Sequence, residues 1–321
     1  MEAFEPVDDG NRESVDSMIS VLRVYFDQQR EPRCCLVIDP SQRALPQSDE
    51  GAPSFSDQPS AVVAIAHDAF PDDRRPYLIE LDLSTSDGMA LLAESVRLAF
   101  EDRHPDAVAK GLGQRIGGWL ASDATPEQIA EYWSNNVLQI DDQGHRCALR
   151  FYDARALSLI WPILSDGQKQ ALLGPVKAWH ALDACAKPCV YSSATALRAE
   201  LELTDGQWRD IRRHGLINRA LALHMLTTQR QPRSSEVEIA IASAARAEHH
   251  GLADREDKIA FIGHALTWHP YFDRHPSVAH ALRQRAPDEF YTAAVGELSE
   301  DEIEAIRRGM WYDESVTVSS S

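Results

Sequence analysis

Six histidines crowd one stretch of the second half of the chain: His249, His250, His264, His269, His275 and His280. A zinc ion would need three or four ligands in tetrahedral reach. His249 and His250 are neighbours, so on a helix they point apart, and from His264 onward the spacings are five or six residues. No H-E-x-x-H motif occurs. The pattern favours solvated or interfacial imidazoles over a metal centre, and Trp268-His269-Pro270-Tyr271-Phe272 reads as an aromatic packing knot between helices. Cys185 and Cys189 have no second cysteine pair, which argues against a zinc knuckle and a redox dithiol alike. Nucleophilic catalysis finds no G-x-S-x-G elbow. Gly111-Leu112-Gly113 lacks the third glycine and the Lys-Ser or Lys-Thr of a phosphate-cradling loop. The carboxylate pairs Asp72-Asp73 and Asp141-Asp142 lie in turn-like surroundings, where such groups are solvated. The acidic run 297–304 reads as the exposed start of the last helix, with reception of a basic partner as the alternative. These residue types thus assign no catalytic, metal-ligating or cofactor-binding position.

One polar cluster remains, Arg150, Tyr152, Asp153 and Arg155, inside the stretch 147–164. Leu149 and Phe151 alternate with Arg150 and Tyr152, the two-residue period of a half-buried strand. At Asp153 the period changes, and Leu157, Ile160, Trp161 and Leu164 follow at helical spacing. The Asp153 carboxylate stands where it can accept from the free N–H groups of the first helical turn and oppose the helix dipole. Two readings of this corner stay open. It is structural, with Asp153 as a cap and the arginines paired to nearby carboxylates. Or it is part of a protein-binding face, with Arg and Tyr as anchors.

The elements that would hold this corner follow from periodicity. Val15, Met18, Ile19, Leu22, Tyr25 and Phe26 share one face of an opening helix. Residues 34–39 read as a short buried strand. The stretch 41–60, rich in Ser, Pro, Gln and acidic residues, reads as an exposed loop. Strands are expected at 61–67, 77–83, 115–122 and 177–182, with glycines in the third marking a bulge or close backbone contact. A helix spans 87–102. Thr125 and Pro126 start another, which leads into a short strand at 137–141 and a hairpin turn at Asp142-Gln143-Gly144. This imperfect alternation suggests a mixed sheet with packed helices. Beyond a poorly periodic stretch at 184–203 the chain reads as almost wholly helical. Its last helix opens on the capping box Ser299-Glu300-Asp301-Glu302.

Arg150-Phe151-Tyr152-Asp153-Ala154-Arg155-Ala156-Leu157 resembles the R-[FY]-[FY]-D-P-R-[VA]-[LF] signature of the type VI secretion effector-adaptor family, the Tap/TEC group long carried as a domain of unknown function. Tyr77-Leu78-Ile79-Glu80-Leu81 is similar to that family's Y-L-[VI]-x-L strand, and Gly117-Gly118-Trp119-Leu120-Ala121-Ser122 to its G-x-x-[LI]-x-S segment. The resemblance covers about the first half of the chain. Ala154 replaces the family's usual proline; alanine, the best helix former, keeps the corner's shape. The resemblance implies an adaptor without chemistry of its own, which holds a toxic effector in the cytoplasm and helps load it onto the VgrG spike.

Composition agrees with such a protein. The 321 residues carry a formal net charge of −18, which disfavours a nucleic-acid partner. The acidic N-terminus lacks the apolar core of a signal peptide, and no apolar run reaches membrane-spanning length. Five cysteines in poor framework spacing point to reduced thiols and a cytoplasmic location. The expectation is therefore an α+β chain. An α/β lobe occupies 1–183 and carries the motifs, a linker follows at 184–203, and an all-helical lobe at 204–312 selects cargo. A flexible tail closes the chain at 313–321. Partners are an effector toxin and VgrG, with no nucleic acid, membrane, cofactor or metal. A toxin-neutralising inhibitor and a hydrolase using a carboxylate–histidine pair stand as alternatives.

Overall fold

The computed structural model describes residues 9–28, 33–46, 51–68, 70–141, 143–193, 201–286 and 288–312. The chain divides into two compact units, 1–208 and 209–321.

The first unit opens with α1 (Asp9–Gln28), followed by β1 (Arg33–Ile38), β2 (Ser60–Val62) and β3 (Tyr77–Leu81). Next come α2 (Ser86–Glu101), α3 (Pro105–Ala109), β4 (Ile116–Ser122) and α4 (Pro126–Asn136). The hairpin β5 (Leu138–Ile140) and β6 (Arg146–Ala148) precedes α5 (Ala154–Ile160), α6 (Asp166–Leu173), β7 (Val176–Leu182) and β8 (Pro188–Tyr191). Six strands form one sheet in the order β2-β3-β1-β4-β7-β8. The α+β class is as expected. The sheet itself is not mixed: every pairing is antiparallel. The strand–helix–strand alternation that pointed to parallel pairs is real, because β3, α2 and β4 run as a crossover unit. Its two strands are parallel but not adjacent, since β1 lies between them, antiparallel to both.

Each face of the sheet is covered, which is why β1 reads from Cys34 onward as a continuous apolar run and not as an alternation. Met18, Leu22 and Phe26 of α1 pack with Leu91, Leu92 and Val96 of α2 on Leu36, Ile79 and Trp119. On the opposite face Trp133 of α4 stacks on Trp179 of β7, ring centroids 4.9 Å apart. The stretch 41–60, read as an exposed loop, is pinned by Phe55, which is buried in the same core as α1. The helix at α4 begins as its sequence predicts, with a reciprocal Thr125/Gln128 capping box and Pro126 at the first helical position.

Three short elements have no counterpart in the sequence reading: helices α3 and α6 and strand β8, the last lying inside the stretch 184–203 expected as a linker. Residues 194–200 of that stretch, and the tail 313–321, lie outside the described residues.

Helix α7 (Asp205–Thr228) carries the division between the units near its start. The second unit continues with α8 (Ser234–His249), α9 (Arg255–Thr267), α10 (Pro276–Gln284), α11 (Tyr291–Gly296) and α12 (Glu300–Arg308). Its core gathers Ala247, Phe261, Phe272, Val278, Tyr291 and Ile306. The Ser299/Glu302 capping box at the start of α12 forms as read. Among the described residues, no helix is long and apolar enough to cross a membrane.

Candidate functional site: the corner before α5

The corner is a succession of turns, not the end of a strand. Strand β6 stops at Ala148. Then Leu149 N–H donates to the Val137 carbonyl, Phe151 N–H to that of Leu149, and Asp153 N–H to that of Arg150. Leu149, Phe151 and Tyr152 are all buried, so the alternation read from the sequence does not hold: Tyr152 joins the apolar side. The reason lies in β4. Its register against β1 slips between Val37 and Ile38, leaving Gly117 as the extra residue of a bulge. A Cβ on Gly117 would meet the Tyr152 carbonyl at 2.2 Å, so the corner backbone rests directly on the bulge. The next residue, Gly118, has φ +134°, and a Cβ there would meet the His180 carbonyl at 2.4 Å. Both glycines are required there.

Asp153 caps α5 as predicted. Its carboxylate accepts from the Arg155 N–H at 2.9 Å and pairs with the Arg155 guanidinium at 3.1 Å. Burial alone would raise its pKa, but the charges of Arg155 and Arg150 hold it below the ordinary carboxylate value. Arg150 reaches elsewhere: its Nη2 donates to Asp39 Oδ2 at 2.8 Å and to Ser41 Oγ at 3.1 Å, tying the corner to the chain just after β1. Burial acts to lower the Arg150 pKa, yet the Asp39 charge leaves it raised. Burial pushes the Tyr152 phenol well up, with the Arg150 guanidinium 5.8 Å from its ring opposing the shift. Arg150 and Arg155 keep about a third of their side chains exposed, at 31% and 30%.

The loop after β1 links this cluster to a second one. Asp39 N–H donates to the Arg115 carbonyl, and Arg115 closes a buried ion pair on Asp102 at 2.6 Å. Arg43, from the same loop, also reaches Asp102, at 3.3 Å. Arg103 is buried as well, with Nη2 on the Leu182 carbonyl at 3.0 Å. Burial first, and the neighbouring Arg155 charge second, lower its pKa to about 10. Asp39, Asp102, Arg103 and Arg115 were not singled out from the sequence. The one local signal was a carboxylate, Asp39, directly after the apolar run of β1. In chemical terms the corner holds Asp153 as carboxylate and Tyr152 as phenol at neutral pH, each beside a guanidinium. What it leaves partly open to solvent is the remaining edge of two guanidiniums, each already engaged by a carboxylate.

The other residues considered in the sequence are dispersed. His264 Nδ1 meets the Tyr291 hydroxyl at 2.6 Å and its ring stacks on Trp268 at 3.8 Å; burial lowers its pKa to about 4. His250 Nε2 lies 3.1 Å from Asp273, whereas His269 and His275 flank Trp311. Burial pushes the Cys189 thiol up to about 11. Asp141 accepts from the Gln143 and His145 N–H groups and so serves the hairpin turn. Among the described residues, no group of three His, Cys, Asp or Glu side chains is placed to hold a metal ion.

Comparison with curated proteins gave no match, and comparison with solved structures gave none either. A family model does match, over residues 67–171: Domain of unknown function (DUF4123). The matched segment takes in β3, the Gly117–Gly118 bulge, the hairpin, the whole corner and α5, while β1, β7 and β8 of the same compact unit lie outside it. Residues 67–171 of this chain thus match the DUF4123 family, which is known as the type VI secretion effector-adaptor (Tap/TEC) domain.

Proposed function

We propose that this protein is a type VI secretion effector adaptor. It binds a cognate toxic effector in the cytoplasm and promotes its loading onto the VgrG spike. The observation that carries this reading is the family match, which spans the Arg150–Arg155 corner. The domain that the family shares meets the machinery that such systems share, with Arg150 and Arg155 offered to carboxylates of VgrG while Tyr152 and Asp153 hold the corner's shape. The helical stretch 204–312, outside the matched segment, selects the cargo. The acidic surface of a chain with net charge −18 suits basic protein partners and not polyanions.

The division of labour is tested by deleting residues 204–321 and purifying the remainder from cells that also express effector and VgrG. Loss of effector with retention of VgrG is expected; the reverse would overturn the assignment of the two parts. Toxin activity in the complex separates an adaptor, which leaves it measurable, from an inhibitor, which silences it.

A further inference from the structure

Arg150 lies inside the matched segment, but the loop after β1, which lays acceptors on its guanidinium, lies outside it. Asp39 Oδ2 stands 2.8 Å and Ser41 Oγ 3.1 Å from Nη2. With its amide oxygen turned to the arginine, Gln42 accepts from Nη1 and Nη2 at 3.3 Å each. Asp39 is buried, Ser41 half-buried and Gln42 exposed. The Gln42 side chain lies across Gly113, where a Cβ would collide with the Cβ and Cγ of the glutamine. That side chain makes no other hydrogen bond among the described residues.

The three contacts are unequal. Each Nη carries two hydrogens, and on Nη2 these are matched by Asp39 and Ser41 at the shorter distances. Gln42 is therefore surplus on Nη2. On Nη1 it makes a neutral contact of 3.3 Å, longer than the usual span of about 2.7–3.2 Å. An ionised acceptor at the same place adds charge–charge attraction and draws in closer. The corner itself is balanced, with Arg150 and Arg155 set against Asp39 and Asp153, so a ligand is selected by the Nη1 edge and not by a positive field. The edge is reachable, because the Arg150 side chain is 31% exposed and the group over it is an exposed glutamine. Clearing it takes a rotation of the Gln42 side chain alone: Asp39 and Ser41 keep Nη2, and the loop backbone stays in place.

We propose that Gln42 is a built-in stand-in for a partner's carboxylate. It covers the Nη1 edge of Arg150 in the free protein, and a carboxylate of VgrG displaces it on binding. This deepens the adaptor reading and rests on it.

The test uses the full chain with Gln42→Ala and Gln42→Glu, each alone and each again in an Arg150→Gln background, titrated separately with purified VgrG and with the purified effector. Gln42 is exposed, so wild-type melting temperatures are expected and are measured as the folding control. Gln42→Ala removes the competitor and should tighten the Kd for VgrG about fivefold, the worth of one net hydrogen bond. Gln42→Glu puts the chain's own carboxylate on the edge and should weaken it about tenfold. Both shifts should vanish in the Arg150→Gln background. No shift, shifts of the same sign, or shifts that persist without Arg150 overturn the stand-in and leave the adaptor reading standing. Shifts in the Kd for the effector instead of VgrG overturn the assignment of the displacing carboxylate. If the wild-type chain binds neither VgrG nor effector, the proposal and the adaptor reading both fall.

Discussion

Asp153 does two jobs with one carboxylate, capping α5 and neutralising Arg155. Asp153→Ala should therefore cost more than a cap alone, because the Arg155 pair is lost with it, but no more than about 1–3 kcal/mol, because the partly exposed Arg155 recovers some hydration. The pKa of Asp153 is depressed in the folded protein, so its contribution is complete above the ordinary carboxylate value of 3.8 and fades as pH falls through the lower folded value. Urea denaturation at pH 7 and pH 3 should show the wild-type advantage shrinking in acid; an equal advantage at both would contradict this role. The cap was legible because capping is written within three or four residues. The partner of Arg150 was not, since Asp39 lies 111 residues away. Gly117 was legible as a bulge or close contact, although what approaches it was not. Gly117→Ala would drive a Cβ into the Tyr152 carbonyl and Val37, and should destabilise by more than about 2 kcal/mol in the same assay.

Element by element, a cap alone did not make a helix readable: α6 carries a reciprocal Ser165/Gln168 capping box and still has no counterpart in the sequence reading. Helix α6 buries three consecutive residues, Ala171, Leu172 and Leu173, so it shows no helical period. The corner misled for a related reason: Leu-Arg-Phe-Tyr alternates on paper, but Tyr152 is buried by a turn that forms only over the β4 bulge. Helix α1 offers two tests of its packing. Leu22 is fully buried against the sheet, and Leu22→Ala should cost about 2–5 kcal/mol in denaturant unfolding. Tyr25 lies 4.3 Å from the ring of His180 on β7, whose pKa burial lowers to about 4. A histidine with a depressed folded pKa takes up its proton more readily when unfolded. Stability thus falls as pH drops from the ordinary 6.5 to about 4, by up to about 1.4 kcal/mol per pH unit for this group. His180→Phe should flatten the stability–pH curve over that window by this amount, and an unchanged slope would contradict a neutral, buried His180.

At the scale of the whole molecule, strand–helix alternation announced an α+β first unit, and unbroken helical periodicity announced the second. The strand order was out of reach. Nothing in the sequence says that β1 inserts between β3 and β4, since that choice is made by two sheet faces that must both be covered. The proposed adaptor function was legible only through the family motif, because holding a partner writes no reaction geometry into residue spacings. The central claim is that one chain holds two partners at once. Its most direct test is to co-express the tagged protein with the effector and VgrG encoded beside it, and to purify on the tag. The adaptor account predicts one complex containing both partners, with toxin activity still measurable in it; recovery of the protein with neither partner would contradict it.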